Sequence, residues 1–153
     1  GQGEAARALS RQGRQHAGTM QGYHDAAKRR IFAARNSSSG GYDDNAAALT
    51  AEQMVDAGGL LFIDLHGLHV SESLDVLQGR IMALRRVWPD TKRLLAQEGR
   101  SEVVGLHLHV ITGTGHHASD HQSHLGPKVE RFFAEEGIQY SVPKWGALLA
   151  RVI

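Results

Sequence analysis

Short apolar runs alternate with longer amphipathic stretches from residue 60 to residue 153, and this alternation constrains the fold more than any other feature. A short apolar run bounded by glycine is typical of a buried strand, and an apolar residue at every third or fourth position is typical of a helix. The predicted strands cover residues 60–65, 107–111, 138–142 and 147–153. The predicted helices begin at Ser71, a good N-cap residue, and at Pro127, and they end at Pro89 and Gly137. A further short helical stretch is predicted over residues 90–98.

This order predicts an α/β domain with a four-stranded mixed sheet (β-α-β-α-β-β) and two helices on one face. A strand–helix–strand unit crosses over with a right hand and leaves its two strands parallel. The last two strands are joined by the short turn at residues 143–146 and are expected to be antiparallel. The other face of such a sheet needs a cover or a ligand.

Residues 1–59 are predicted to form a helical extension in front of a domain at residues 60–153. Residues 4–35 lack proline and are rich in alanine, arginine and glutamine, and their apolar side chains recur on one stripe, which predicts a helix. Gly13, Gly18 and Gly22 each weaken this helix by about 1 kcal/mol, so it is expected to need a surface to lie on. The break at residues 36–41 precedes a second predicted helix over residues 44–57.

Charge is distributed unevenly along the 153 residues, although the formal net charge is only +1. Residues 1–35 carry seven basic side chains against two acidic ones, which suits contact with phosphates and equally a solvated helix face. The sequence has no cysteine, which excludes disulfides and thiolate metal sites and fits a reducing compartment. No apolar run reaches the roughly 18 residues of a membrane span, and the glycine-rich start lacks a secretory signal. We therefore predict a cytoplasmic location and no membrane partner, and leave an organelle or the nucleus open.

An acid and an imidazole lie two residues apart at the end of the first predicted strand. Side chains alternate along a strand, so Asp64 and His66 are expected on the same face. A carboxylate can orient the ring, and the ring can exchange a proton near neutral pH, which makes the two a candidate pair for proton transfer. The alternative is a turn-capping aspartate beside a structural histidine.

A glycine-rich turn, Thr112–Gly115, follows the second predicted strand. Backbone N–H groups in such a turn can converge on an anion, which predicts a phosphate contact; the alternative is simply a tight turn. Parallel neighbouring strands would place this loop beside Asp64 and His66, at the edge where open α/β sheets bind ligands.

Histidines are concentrated in and after the second strand. They are His107, His109, His116, His117, His121 and His124. Imidazole clusters can bind zinc, nickel or copper, but this run has no evident helical pair and no thiolate beside it. Contact with RNA and simple loop polarity are the other interpretations, and we assign no metal ligand here.

Three segments together resemble the motifs of the Smr (small MutS-related) family. They are Asp64-Leu65-His66-Gly67-Leu68, Ile111-Thr112-Gly113-Thr114-Gly115-His116-His117, and Leu125-Gly126-Pro127 with Val129. The family has an L-D-x-H-G-type motif on its first strand, a T-G-x-G-x-H motif after its second, and a glycine before its last strand, here Gly146. The resemblance covers about residues 60–153 and implies a fold like the C-terminal domain of translation initiation factor 3. Residues 4–57, through Ala8–His16 and Ala27–Asn36, resemble part of a helical extension that often precedes eukaryotic Smr domains.

The family's site residues carry over by position. The resemblance implies catalytic roles for Asp64, His66 and His117, and contacts with phosphate or nucleic acid by Thr112, Gly113, Thr114, Gly115 and His116. The sequence departs from the family at two places, because the often basic position between the loop glycines is Thr114 and the serine after the histidine is Ala118. Lys128, Arg131 and an N-terminal arginine are the candidate cations that would replace the missing charge.

Smr domains bind nucleic acid, and several of them cleave RNA or nick DNA, so the resemblance implies an endonuclease. RNA is favoured as the substrate because its 2′-hydroxyl can act as nucleophile without a metal, whereas DNA cleavage by two metals needs more carboxylates than this motif has. We therefore predict no required cofactor and leave a divalent metal open. The predicted partners are RNA or DNA, in a ribosome or another ribonucleoprotein involved in translation quality control. The alternatives are a catalytically inactive RNA-binding module and a protein-interaction domain.

Overall fold

The computed structural model describes residues 2–36, 49–114 and 124–153. The elements run in the order α1 (Gln2–Asn36), α2 (Ala51–Asp56), β1 (Leu60–Asp64), α3 (Val70–Gln97), β2 (His107–Ile111), α4 (Leu125–Glu135), β3 (Gln139–Lys144) and β4 (Ala147–Arg151). The chain divides into two compact units, Gly1–Ile31 and Phe32–Ile153. The predicted N-terminal helix is confirmed as α1. No helix in these three described ranges is both long and apolar enough for a membrane span.

The second unit is built on a four-stranded mixed sheet in the order β1-β2-β4-β3. β1 and β2 are parallel, with Leu60 opposite His107 and Asp64 opposite Ile111. β4 runs antiparallel to both β2 and β3. This arrangement confirms the predicted α/β class, the parallel first pair and the antiparallel last pair.

One face of the sheet is buried under α3 and α4. The buried side chains alternate along each strand, as the two-residue period of a strand requires, with Leu61 and Ile63 on β1 and Leu108 and Val110 on β2. They pack in one core with a buried stripe of α3 and with the apolar side of α4. That stripe and side comprise Leu77, Ile81, Leu84, Val129 and Phe133. The prediction of two helices on one face is therefore confirmed.

α2 is shorter than the predicted helix over residues 44–57. It begins at Ala51 because Thr50 caps it: the Thr50 hydroxyl accepts a bond from the Gln53 N–H at 3.3 Å, and the Thr50 N–H donates to the Gln53 side chain at 3.0 Å. Residues 44–48 lie outside the described residues. α2 buries Met54 in the core of the sheet domain, although the predicted boundary at residue 60 assigns this helix to the extension. That boundary stays a prediction.

α3 continues through Pro89, so the predicted end at this residue and the separate stretch over 90–98 are wrong. Proline inside a helix removes one hydrogen bond and costs about 3 kcal/mol or more. The cost is offset because the buried stripe keeps its helical spacing across the proline, from Leu84 and Val87 to Thr91 and Leu95. Thr91 also donates its hydroxyl hydrogen to the Val87 carbonyl at 2.8 Å inside this buried stretch.

α3 also begins earlier than predicted. Its N-cap is His69, which makes no side-chain capping bond, and the expected N-cap Ser71 lies within the first turn. The tight turn that follows β1 uses Gly67, whose φ is +82°, and brings the chain into the helix two residues ahead of the expected start. Local capping preference was therefore overridden by the path of the chain off the sheet.

β3 and β4 form a hairpin that closes through the two residues Trp145 and Gly146. Gly146 has a φ of +83°, a left-handed conformation that favours glycine. The strand pairing shifts by one residue between Ser141 and Lys144, a bulge that accommodates Pro143, which has no N–H to give to the ladder. The hairpin thus reaches past the end of the sheet, toward the loop that follows β2.

Candidate functional site

Asp64 and His66 are joined by a hydrogen bond at the carboxyl end of β1. His66 Nδ1 lies against Asp64 Oδ1, and the backbone N–H of His66 donates to the same oxygen at 3.1 Å. Because Asp64 and His66 are only two positions apart in the chain, these two bonds fix the orientation of the imidazole relative to the carboxylate. The side chains are 18% exposed for Asp64 and 35% exposed for His66, so a substrate can reach the pair from solvent.

The carboxylate selects the imidazole tautomer. Because an ionised carboxylate can only accept hydrogen bonds, the proton of neutral His66 belongs on Nδ1. Proton exchange with a substrate then falls to Nε2, on the opposite side of the ring. This is the arrangement that a general base needs, since a base must be presented in one defined tautomer and orientation.

The loop after β2 lies directly beside this pair. The N–H of Leu65 donates to the Ile111 carbonyl at 2.8 Å, which extends the parallel ladder by one step and brings the two strand ends together. Gly113 has a φ of +89°, and a Cβ atom built on it would lie 3.0 Å from the His66 Cβ. A side chain at this position would push against His66, so glycine is required for both its conformation and its size.

The N–H groups of Thr112 and Gly113 are bonded within the protein. Both donate to the carbonyl of Gly146 in the β3–β4 hairpin, at 2.8 and 3.1 Å. Each of these N–H groups therefore already has a hydrogen-bond acceptor, and the implied phosphate contacts of Thr112 and Gly113 stay predictions. The glycine loop is a packed junction between the parallel strands and the hairpin.

Two residues at the tip of the hairpin belong to this site, and the sequence had indicated only a turn there. Trp145 donates its indole N–H to the Thr114 carbonyl at 3.1 Å. A Cβ atom on Gly146 would lie 2.9 Å from the carbonyl carbon and oxygen of Gly113. An aromatic residue beside a glycine in a two-residue turn was the available signal, but the contact spans 31 residues and no local pattern reveals it.

The remaining predicted site residues divide into two groups. Lys128 and Arg131 lie exposed on α4, and Arg131 forms an ion pair with Glu135 at 2.9 Å. Gly115, His116 and His117 lie outside the described residues, as does His121. Their implied roles stay predictions.

The described histidines of the run do not gather into a metal site. His107 and His109 are on β2, and His124 precedes α4. Within the described ranges, three side chains suited to hold a metal are nowhere grouped together. Burial, and after it the positive charge of Lys144, lowers the pKa of His109, and its ring meets Phe62 edge to face with 4.9 Å between centroids. At neutral pH this histidine is a neutral packing residue of the sheet.

Comparison with known proteins agrees with the motifs now placed in the fold. An Smr domain-containing protein of Schizosaccharomyces pombe is 30% identical over 79 residues, which are 52% of this chain and 31% of that protein. This similarity agrees with the resemblance of the chain to the Smr family. The family model of a domain of unknown function, DUF1771, matches residues 1–36, which coincide with α1.

The chain is also similar to a longer plant protein. Polyadenylate-binding protein-interacting protein 7 of Arabidopsis thaliana is 32% identical over 146 residues, which are 94% of this chain and 22% of that protein. This chain therefore spans less than a third of the length of either curated relative.

Two solved structures illustrate the similarity. The solution structure of the B3BP Smr domain is 25% identical, covers 82% of this chain and 92% of its own, and has a TM-score of 0.44. The crystal structure of the human small-MutS related domain is 29% identical, covers 59% and 97%, and has a TM-score of 0.36.

Proposed function

We propose that this Smr domain binds nucleic acid and cleaves RNA at the pair formed by Asp64 and His66. The observation that supports this most directly is the fixed imidazole, hydrogen-bonded to a carboxylate and accessible to solvent at the end of β1. The similarity to an Smr domain-containing protein supports the binding function. The name of the Arabidopsis relative connects that protein with a polyadenylate-binding protein, which supports RNA over DNA as the substrate.

In the proposed reaction, Nε2 of His66 takes the proton from a ribose 2′-hydroxyl. The O2′ atom attacks the neighbouring phosphorus, a new O2′–P bond forms, and the bond from phosphorus to O5′ breaks. The departing O5′ takes a proton from solvent, and His66 later returns its own proton to solvent. The products carry a 2′,3′-cyclic phosphate and a 5′-hydroxyl. Asp64 holds the ring and stabilises the imidazolium that forms during the transfer.

Cleavage in the presence of EDTA tests this proposal. We expect the full chain to cut a structured RNA without divalent metal and to leave cyclic-phosphate ends, which are read by their resistance to ligation and their mobility in gels. The control substrate carries a single 2′-deoxy substitution at the cut position and is expected to stay intact. Absence of cleavage, or cleavage of both substrates alike, would refute the mechanism.

A second candidate function is RNA binding without cleavage, and two observations favour it. Thr114 stands where the family often has a basic residue, and the N–H groups of Thr112 and Gly113 are bonded to the hairpin. Charge that develops on the phosphate would then be stabilised poorly. In this case the domain serves as an assembly module of a ribonucleoprotein, in translation quality control or elsewhere.

Replacing Thr114 with arginine separates the two functions. If the site is catalytic but weakened, Thr114→Arg is expected to raise kcat for RNA cleavage by about tenfold or more. One hydrogen-bond donor that points at the charge developing in the transition state contributes at least this much. Thr114→Gln is the matched control, since it lengthens the side chain without adding charge. Tighter RNA binding by Thr114→Arg with no turnover would select the binding module.

A further inference from the structure

A cavity opens next to the proposed catalytic pair, on the far side of the glycine loop. It has a volume of about 120 Å³ and lies between the start of α4, the β3–β4 hairpin and the loop after β2. Its walls include Gly113, Pro127, Glu130, Val142, Trp145 and Gly146. Gly113 is a wall of this cavity and also the residue that lies against His66. The backbone of Gly113 therefore separates a ligand in the cavity from the His66 side chain.

Trp145 gives the cavity a flat aromatic wall that is held in place. The side chain is 73% exposed, although its indole N–H is bonded to the Thr114 carbonyl. Folding normally buries tryptophan, so a fixed and exposed indole leaves an apolar surface available to a partner. Val142, which is also exposed, extends this apolar wall. A planar apolar group is the ligand that such a surface fits best.

Glu130 adds a hydrogen-bond acceptor to the apolar walls. Partial burial, and after it the charge and hydrogen bond of the Glu130 carboxylate, raise the pKa of Tyr140. The bond from the Tyr140 hydroxyl orients the carboxylate, and the carboxylate can accept further bonds because it has several lone pairs. A ligand that donates N–H groups from the edge of a planar ring would satisfy it.

A positive charge adjoins one wall of the cavity. Lys128 follows Pro127 at the start of α4 and is exposed. This cation suits a ligand that carries negative charge outside its planar part. Nucleotides combine a planar base, N–H donors on its edge and an adjoining phosphate.

We propose that this cavity binds one nucleobase of an RNA strand, stacked on Trp145, with its exocyclic amino group donating to Glu130. The inference rests on the proposed function in that the phosphate next to this base would lie at Asp64 and His66. Adenine, cytosine and guanine each carry an exocyclic amino group that can donate to the Glu130 carboxylate, whereas uracil carries carbonyl oxygens, which a carboxylate repels, on both sides of its one ring N–H. The site therefore favours a base with an exocyclic amino group, such as adenine or cytosine, over uracil beside the cleaved bond.

Binding of short homopolymers that cannot be cleaved tests the base site independently of catalysis. Fluorescein-labelled 2′-O-methyl oligomers of adenosine, cytidine and uridine are titrated with the full chain, and the anisotropy reports the Kd. We expect the adenosine or cytidine oligomer to bind roughly tenfold more tightly than the uridine oligomer, since one good edge contact contributes on that scale.

Three variants assign the preference to this cavity. Trp145→Ala is expected to weaken the affinity for the preferred oligomer by about tenfold, because the stacking of one base is lost. Trp145→Phe keeps a ring but removes the bond to Thr114, so retained affinity in this variant attributes the loss to stacking and not to a disturbed loop. Glu130→Gln should bring the affinities for the three oligomers within about twofold of one another, because an amide can also donate to uracil.

Glu136→Gln, at the opposite end of α4, is the matched control and should leave the preference unchanged. Equal binding of all three oligomers by the wild type overturns the proposal. An unchanged preference among the oligomers in both Trp145→Ala and Glu130→Gln also overturns it. That result is expected if the Trp145 surface contacts a protein side chain and not a base. A clear preference among the oligomers without RNA cleavage would support the base site and refute the nuclease proposal. Cleavage without any preference would support the nuclease proposal and refute the base site.

Discussion

Asp64→Asn and His66→Ala are each expected to lower kcat for RNA cleavage by about 10²- to 10⁴-fold, the range that a positioned general base contributes. His66→Ala removes the group that takes the proton from the 2′-hydroxyl. Asp64→Asn keeps the shape of the side chain but can offer its amide N–H to Nδ1, which favours the wrong tautomer of His66. The two residues act as one unit, so the double variant should lose little more than the worse single variant.

The controls for this experiment come from the same region of the chain. Asp75→Asn changes an exposed carboxylate on α3, and His69→Ala removes an exposed histidine that makes no capping bond. Both should keep wild-type kcat. The Kd for uncleavable RNA should change by less than about threefold in all the variants, because general base catalysis acts on the transition state. If Asp64→Asn and His66→Ala cut RNA at the wild-type rate, the pair is a structural turn and the nuclease proposal is wrong.

Gly146→Ala is expected to lower the free energy of unfolding by about 2–5 kcal/mol and to reduce cleavage as well. The first cause is conformational, because alanine at a φ of +83° costs about 1–2 kcal/mol. The second cause is steric, since the new methyl group would lie 2.9 Å from the Gly113 carbonyl and needs the loop to move, which costs about 1–3 kcal/mol. The loop carries Gly113, so its displacement also disturbs His66.

Gly137→Ala separates these two causes. Gly137 has a φ of +67°, and nothing lies within 4 Å of a Cβ atom built on it, so this variant has only the conformational cost. Urea unfolding followed by circular dichroism should show the larger loss for Gly146→Ala, and RNA cleavage should fall only in that variant. Equal losses in the two variants would mean that the packing of the hairpin against the glycine loop contributes nothing to stability.

Much of the fold could be predicted from local pattern. Leu61 and Ile63, or Leu108 and Val110, alternate with polar or exposed positions, and this period is enough to identify a strand with one buried face. Parallel pairing of β1 with β2 follows from the long helical crossover through α3, which returns the chain to the starting end of the sheet. The proximity of Asp64 and His66 was likewise predictable from their spacing of two residues, although His66 lies in the turn after β1 and the bond from its backbone N–H to the Asp64 carboxylate helps to hold it there.

The errors arose where a local rule competed with packing. Pro89 normally ends a helix, but the buried stripe from Leu84 to Leu95 continues on both sides of it and outweighs the lost hydrogen bond. The start of α3 moved ahead of Ser71 for a related reason, because the turn at Gly67 sets the path of the chain. Local preferences of about 1–3 kcal/mol yield to a core that many side chains share.

The order of periodic segments and the chemical identity of Asp64 and His66 were readable from the amino-acid sequence, because both depend on neighbours only a few positions apart. The hydrogen-bond partners of the glycine loop were decided only by the tertiary structure. The carbonyl of Gly146 takes up the N–H groups of Thr112 and Gly113, and Trp145 is fixed by Thr114. These contacts join segments some 31 residues apart, and whether two such segments meet depends on the sheet that lies between them.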